Sequence, residues 1–347
     1  MHLDFNIGER SRCFIIAEAG VNHNGNLGMA LKLVDAAKSA GADAVKFQTF
    51  KAEKLVSPEA RMADYQKKNI GKTESQFDML KRLELSEENH RKIFKYCKEK
   101  GIMFISSPFD NESADFLDEL GVKIFKVGSG ELTNIPFLQH IARKKKPMII
   151  STGMANIDEI RTAVNTIKKI NPDIVILHCT SSYPANFAEL NLNVIKTLKK
   201  TFNIPVGYSD HSEGIESSIA AIALGASVIE KHFTLDKNLS GPDHKASIEP
   251  EELKKMVTCI RNIEKALGDG VKKPSMSEQG IMKCVRKSIF AKVNIEKGTL
   301  ITEKMLEFKR PGTGIPPSEI VKIIGRKIKK SIQAGKMLQN CHVNNKR

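Results

Sequence analysis

No stretch of the sequence approaches the roughly 20 apolar residues of a bilayer span, and the opening MHLDFNIGERSR has no apolar signal core. The expectation is an unexported protein without a membrane segment. The six cysteines, Cys13, Cys97, Cys179, Cys259, Cys284 and Cys341, include no CxxC pair, and several lie in apolar runs where reduced thiols pack as small hydrophobes. That usage points to a reducing cytoplasm. Base-stacking aromatics are scarce where the charge is concentrated. The chain carries 55 Lys and Arg against 40 Asp and Glu, a net +15, and 16 of the basic residues against 5 acidic ones lie from Ser275 onward. That tail holds only Phe290 and Phe308 as aromatics, so the charge reads as a solvated basic face or an anion-attracting field, not as a nucleic-acid surface.

What is present fits a large domain followed by a small one. The 347 residues are 41% hydrophobic and 27% charged, which suits neither disorder nor a fibrous repeat. Eight short apolar runs alternate with segments of helical period: CFIIAEAG at 13, AVKFQTF at 44, MFISSPF at 103, KIFKVGS at 123, PMIISTG at 147, DIVILHCT at 173, PVGYSDH at 205 and SVIEKHFT at 227. Ala30, Leu33, Val34 and Ala37 give the first crossover an apolar stripe. Gly41, Gly101, Gly121 and Gly225 suit helix C-caps, Ser86 an N-cap, and Pro136 and Pro250 first helical turns. Eight such units predict a closed (β/α)8 TIM barrel over residues 1–268. GDGVKKPSMSEQG marks a linker, placed at 269–284, and 285–347 reads as a small mainly β module. Residues 51–85, including Tyr65, Gln66 and Gln76, are too long for an ordinary barrel loop and suggest a lid or a dimer contact.

In such a barrel, chemistry collects at the carboxyl ends of the strands. Lys46 and Lys126 sit inside apolar strands, where an ammonium needs a wet pocket or an anion. With Ser107, Ser129, Ser151, Ser181 and Ser209 as donors, they suit a ligand bearing phosphate and carboxylate, the groups of phosphoenolpyruvate. Two alternatives stay open: structural pairing of the lysines with Glu18 or Glu131, and a Schiff-base lysine. His211 and His232 end neighbouring strands, so they either share a divalent metal or are simply hydrogen-bonded. Glu18 and Glu131 are candidates for a metal shell or proton transfer, Asp243 for substrate hydroxyls, and His23 for a turn. Asp210, Glu230, Lys231, His178, Thr152 and Ser106 lie at the same strand ends without an assigned role.

The segments AEAGVNHNG, VKFQTFKAEKL, FISSPFD, FKVGSGE, ISTGMA, LHCTSSYPA, GYSDHS, IEKHFTLDK, SGPDHKAS and KRPGTGI, in this order, resemble the sialic-acid synthase family, which includes relatives making legionaminate or pseudaminate. The resemblance implies a barrel followed by an antifreeze-like (SAF) domain, swapped in a homodimer. It implies condensation of phosphoenolpyruvate with N-acetylmannosamine to N-acetylneuraminate, with carbon–oxygen cleavage, phosphate release and Mn2+ or Mg2+ as cofactor. Legionaminate or pseudaminate synthesis from a 2,4-diacetamido-trideoxyhexose, or use of a sugar 6-phosphate, is the alternative. Lys46, Lys126, Ser129, Ser151 and Ser209 match phosphoenolpyruvate positions, and His211 and His232 match the metal. Glu18, Gln48, Glu131, Tyr183 and Asp243 match sugar contacts, and Arg310 matches a residue inserted by the partner's tail. Ser107 and Ser181 stand where some members carry Thr, or Asn or Thr.

Overall fold

The computed structural model describes residues 12–63, 66, 67, 69 and 74–343. It divides into two compact units, residues 1–268 and 269–347. In the first, eight parallel strands form one sheet: β1 (Phe14–Gly20), β2 (Ala44–Thr49), β3 (Met103–Pro108), β4 (Phe125–Val127), β5 (Met148–Ser151), β6 (Ile174–Cys179), β7 (Val206–Asp210) and β8 (Val228–His232). The hydrogen-bonded order is β3-β2-β1-β8-β7-β6-β5-β4, and β3 lies beside β4 to bring the sheet close to a full cylinder. This is the TIM-like barrel that the strand and helix alternation predicts.

Two apolar layers result from the strand pleat. Ile16, Ala44, Ile105, Ile124, Ile149, Leu177 and Val228 fill the inside of the cylinder. Alternate residues, such as Ile15, Val45, Phe104, Phe125 and Ile229, pack against the surrounding helices. The crossovers begin and end where local chemistry dictates. Asn26 caps Leu27–Ala40, Ser86 caps Glu87–Lys100, and Asn156 with Glu159 makes a capping box on Ile157–Lys168. Gly41 takes the left-handed cap at φ 83°, which a side chain resists. At the amino-terminal end, Arg261 donates to the Cys13 carbonyl at 2.7 Å and pairs with Asp43 at 2.7 Å, tying the last helix of the barrel to β1 and to the turn before β2.

The long segment after β2 is partly helical, with Ala52–Leu55 and Gln76–Leu83, and Tyr65 lies outside the described residues. Met62, Met79 and Leu83 bury against Val21 and Phe50 in a satellite core. The second unit pairs β9 (Ser288–Ala291) with antiparallel β10 (Leu306–Lys309) over a core that includes Ile289, Ile301, Ile328 and Leu338. The segment expected as linker differs from expectation: Met276–Val285 is a helix within this unit, started by a Ser275–Glu278 capping box. The Gly and Pro punctuation before it masked that signal. No described helix is long and apolar enough to cross a membrane.

Candidate active site

Strand parity builds the site. Above the apolar layer inside the cylinder, the next inward positions are Glu18 on β1, Lys46 on β2, Ser107 on β3, Lys126 on β4, Ser151 on β5, Cys179 on β6, Ser209 on β7 and Glu230 on β8, all buried. Two residues further along lie Gln48, His211 and His232. Each inward face therefore changes from hydrocarbon to polar toward the carboxyl end, which creates a polar floor on top of a closed apolar plug.

Two ammoniums and two carboxylates form one cluster there. Lys46 Nζ lies 2.8 Å from Glu18 Oε1, 3.8 Å from Glu230 Oε1 and 3.2 Å from Ser107 Oγ. Lys126 Nζ donates to Ser151 Oγ at 2.7 Å and lies 3.5 Å from Glu230 Oε1, which also accepts from Ser209 Oγ at 3.1 Å. Burial alone would lower both lysines, yet Glu18 and Glu230 together hold Lys46 above its ordinary value. Lys126 is held below the usual lysine value by burial, opposed by Glu230 and reinforced by the Lys46 charge. It is the less compensated cation, and so gains more from an incoming anion. Burial pushes the Glu18 carboxyl up to about 7 against the pull of Lys46, whereas Glu230, also buried, is held below the carboxylate range by the two lysines. Glu18 Oε2 and Glu230 Oε2 are buried without a hydrogen-bond partner.

The histidines converge beside this cluster. The His211 and His232 ring centroids are 5.6 Å apart, and Tyr183 lies 4.2 Å from the first and 5.7 Å from the second. His211 Nδ1 is 2.7 Å from the Thr180 carbonyl, which can only accept, so Nδ1 carries the hydrogen and Nε2 is a lone pair. Burial pushes His211 down to about 4 and His232 well below its ordinary value, so both rings are neutral. His232 Nδ1 is a buried orphan. Among the described residues no group of three or more His, Cys, Asp or Glu side chains is arranged to hold a metal. Two neutral imidazoles, one with an unpartnered nitrogen, nevertheless fit a borderline divalent cation whose remaining positions are filled by substrate or water oxygens.

A second cradle lies around Gly153. Its amide donates to Ser129 Oγ at 3.0 Å, and Ser129 Oγ lies 3.2 Å from Cys179 Sγ. A methyl group on Gly153 would collide with Ser181 Oγ and stand 2.8 Å from Ser129 Oγ and 2.9 Å from Cys179 Sγ. Gly153→Ala is therefore expected to raise the Michaelis constant for an anionic ligand of this cradle about tenfold, from overpacking of about 1–3 kcal/mol. Steady-state kinetics beside a thermal melt would check it, an unchanged constant arguing against the cradle. Toward the outer rim, Gln48, Tyr183, His232 and Asp243 line a cavity of about 130 Å3. Burial pushes the Asp243 carboxyl up to about 6, with Lys46 opposing.

Most of the expected site residues thus meet at one rim. Glu131 does not join the lysines through any bond among the described residues; it accepts from Asn134 at 2.8 Å within its own turn. Lys126 finds Glu230 in its place. Arg310 belongs to the second unit, where it is exposed at a cis Arg310–Pro311 bond. His23 Nδ1 accepts from the Gly25 amide at 3.0 Å, the turn role expected of it. Asp210, Lys231, His178, Thr152 and Ser106 point away from the cylinder. Lys231 pairs with Asp210 at 3.0 Å, His178 donates to the Leu190 carbonyl at 2.7 Å, Thr152 to the Leu177 carbonyl at 2.9 Å, and Ser106 bonds Thr49 at 2.7 Å. Glu230, Cys179 and Gly153 are central without having been assigned a role from sequence; for Glu230 the signal was its even spacing from His232.

Comparison with known proteins gives this arrangement a family. The NeuB family model matches residues 33–272, and the SAF domain model matches residues 286–343. The chain belongs to the NeuB family. It is 51% identical to the N,N'-diacetyllegionaminic acid synthase of Legionella pneumophila, over 97% of this chain and 96% of that protein. It is 41% identical to the human N-acetylneuraminate-9-phosphate synthase, over 93% of this chain and 90% of that protein. Among solved structures, the N-acetylneuraminic acid synthetase of Leptospira borgpetersenii in complex with citrate aligns with a TM-score of 0.72 and 38% identity, over 81% of this chain and 94% of that one.

Proposed function

We propose that this NeuB-family chain condenses phosphoenolpyruvate with the aldehyde of an unphosphorylated N-acylated amino sugar, releasing phosphate and a nonulosonic acid. The observation that carries the reading is the meeting of Lys46, Lys126, Glu18, Glu230 and the neutral His211–His232 pair at one barrel rim. The 51% identity to a diacetyllegionaminic acid synthase, against 41% to the human 9-phosphate enzyme, supports a 2,4-diacetamido-trideoxyhexose as acceptor in place of the N-acetylmannosamine first expected.

In this reading Lys46, Lys126, Ser107, Ser151 and Ser209 hold the phosphate and carboxylate of phosphoenolpyruvate, and Ser129 and Ser181 extend the cradle. The enol carbon then forms a carbon–carbon bond to the aldehyde, whose oxygen takes up a proton. A divalent cation held by His211 and His232, Mn2+ or Mg2+, would supply Lewis acidity at that oxygen. Water adds to the resulting cationic carbon and loses a proton. The carbon–oxygen bond to phosphate breaks, leaving a keto acid. Glu18, with one oxygen on Lys46 and the other unpartnered, is placed to carry the proton between these steps. Gln48, Asp243, Tyr183 and Glu131 orient sugar hydroxyls, and Arg310 would reach the acyl group from the partner of a domain-swapped homodimer.

Phosphoenolpyruvate labelled with oxygen-18 at the bridging position, offered with a panel of 2,4-diacetamido, N-acetylmannosamine and 6-phosphate acceptors, should give labelled phosphate. Release should be fastest with the diacetamido sugar. Label retained in the sugar acid would overturn the bond cleavage proposed, and no release with any acceptor would overturn the function.

A further inference from the structure

The cavity at the outer rim has linings of two kinds. One is polar, formed by Gln48, Gln66, Tyr183, His232 and Asp243. The other is the helix Gln76–Leu83, which presents Met79, Leu80 and Leu83, continued by Val21. Met79 and Leu83 lie one turn apart and are 1% and 2% exposed, so they form a fixed apolar surface, while Leu80 is half-buried. The helix is locked in place at both ends. Ser75 caps it by accepting from the Asp78 amide at 3.0 Å, and Glu84, just past its end, accepts from the Ala52 amide at 2.7 Å. Its carboxyl end also passes so close to the turn after β1 that a methyl group on Gly25 would stand 2.6 Å from the Arg82 carbonyl oxygen.

The charge of this helix is directed elsewhere. Lys81 pairs with Glu53 at 2.6 Å and Arg82 with Glu74 at 2.8 Å. No Lys or Arg is among the described residues lining the cavity, and the one acidic group among them, Asp243, stands with the polar set. Among the described residues lining the cavity a phosphate would find no cation, and a hydroxyl set against Met79, Leu80 and Leu83 would lose water without a partner from these three side chains.

We propose that the helix Gln76–Leu83 is the wall that selects the acceptor. Met79, Leu80 and Leu83 receive a deoxygenated terminal methyl group, the end of the sugar farthest from the aldehyde, and disfavour the same sugar carrying hydroxyl or phosphate on that carbon. This rests on the reading above, which sets the aldehyde beside His211 and His232. It adds the residues that discriminate and the acceptor position at which they act.

The test compares acceptors that differ at one carbon. For the wild-type chain, kcat/KM for 2-acetamido-2,6-dideoxymannose should exceed that for N-acetylmannosamine about tenfold or more, the scale of a misplaced hydroxyl in an apolar pocket. Leu80→Lys should shift the ratio of 6-phosphate to 6-deoxy acceptor at least about tenfold toward phosphate, and the change should fall in the acceptor constants and not in KM for phosphoenolpyruvate. Leu80→Met should keep the wild-type ratio. A wild-type preference for the 6-hydroxyl, or a Leu80→Lys ratio equal to wild type, would remove the wall while leaving the condensation intact. Turnover of no acceptor at all would instead overturn the parent reading, and the wall with it. Should Leu80→Lys fail to fold, the wild-type pair of deoxy and hydroxy sugars decides alone. The N-acyl methyl is the other group an apolar wall could take. N-acetyl to N-formyl substitution that matters more than removal of the terminal oxygen would overturn the assignment of the terminal carbon.

Discussion

Lys126→Met is expected to lower kcat/KM for phosphoenolpyruvate by about a thousandfold while the barrel still folds. Of the two buried ammoniums, Lys126 has the poorer compensation: one carboxylate at 3.5 Å, against 2.8 Å and 3.8 Å for Lys46. Its charge is therefore the one most available to an incoming phosphate or carboxylate, and most needed as negative charge builds on the leaving oxygen. Removal of a single preorganised donor from a developing oxyanion lowers turnover by about 10²–10³, and loss of ground-state attraction to a multiply charged substrate adds to it. Glu230 retains Lys46 and Ser209 as partners, so the folded state keeps most of its compensation. Lys126→Arg should rescue poorly, because a forked planar guanidinium does not fit where a compact ammonium meets Ser151 at 2.7 Å. The measurements are steady-state kinetics and a thermal melt on each variant. A fall of less than about tenfold in Lys126→Met with an unchanged melt would remove Lys126 from the substrate site.

The barrel and the level of the site were legible because both follow from local pattern: eight apolar runs, helical crossovers with caps, and polar residues at strand ends. The face of the strand was not. Parallel strands are buried on both sides, so their hydrophobicity does not alternate and parity cannot be read from it. Thus Asp210 and Lys231 looked like site residues, although each lies one position from the inward series of Ser209 and His211 on β7, or Glu230 and His232 on β8. Fixing His211 and His232 as inward settles the parity of β7 and β8, and with it Glu230. That Lys126 would meet Glu230 and not Glu131 was hidden for a related reason: Glu131 follows β4 but lies in a short 3-10 turn, where the strand alternation no longer applies. Gly153 was invisible because its neighbours, Ser129, Cys179 and Ser181, come from other parts of the chain and meet only in the folded barrel. The apolar side of the rim cavity was equally hidden, since Met79 and Leu83 read simply as the buried face of a helix.

Lys231→Met should cost about 3–5 kcal/mol of folding stability, the usual consequence of leaving one member of a buried pair uncompensated. Asp210 and Lys231 are both fully buried behind the strands. Asp210 also accepts from Ser212 at 2.6 Å and from Ser217 and Ser218 at 2.7 Å each. Burial would raise the Asp210 carboxyl, but Lys231 and the three hydroxyls hold it below the carboxylate range. Burial keeps Lys231 below the ordinary lysine value even with Asp210 beside it, so the carboxylate is the better compensated member. A depressed folded-state value stabilises above the unfolded value near 4, and that contribution is lost as pH falls through the folded one. Without the lysine, burial dominates and the Asp210 value rises above that of the unfolded chain. The sign then reverses: stability in Lys231→Met should be greatest in acid and should decline as pH rises through the new value. Denaturant unfolding of both proteins between pH 4 and pH 8 would show a decline with rising pH in Lys231→Met and no slope from this site in the wild type, whose loss comes only in acid below about pH 4. The double variant Asp210→Asn, Lys231→Met removes both charges, leaves the serine hydroxyls a partner, and should recover most of the loss. A single variant as stable as wild type across this range would mean that the pair does not hold the ends of β7 and β8, and with them His211 and His232, in place.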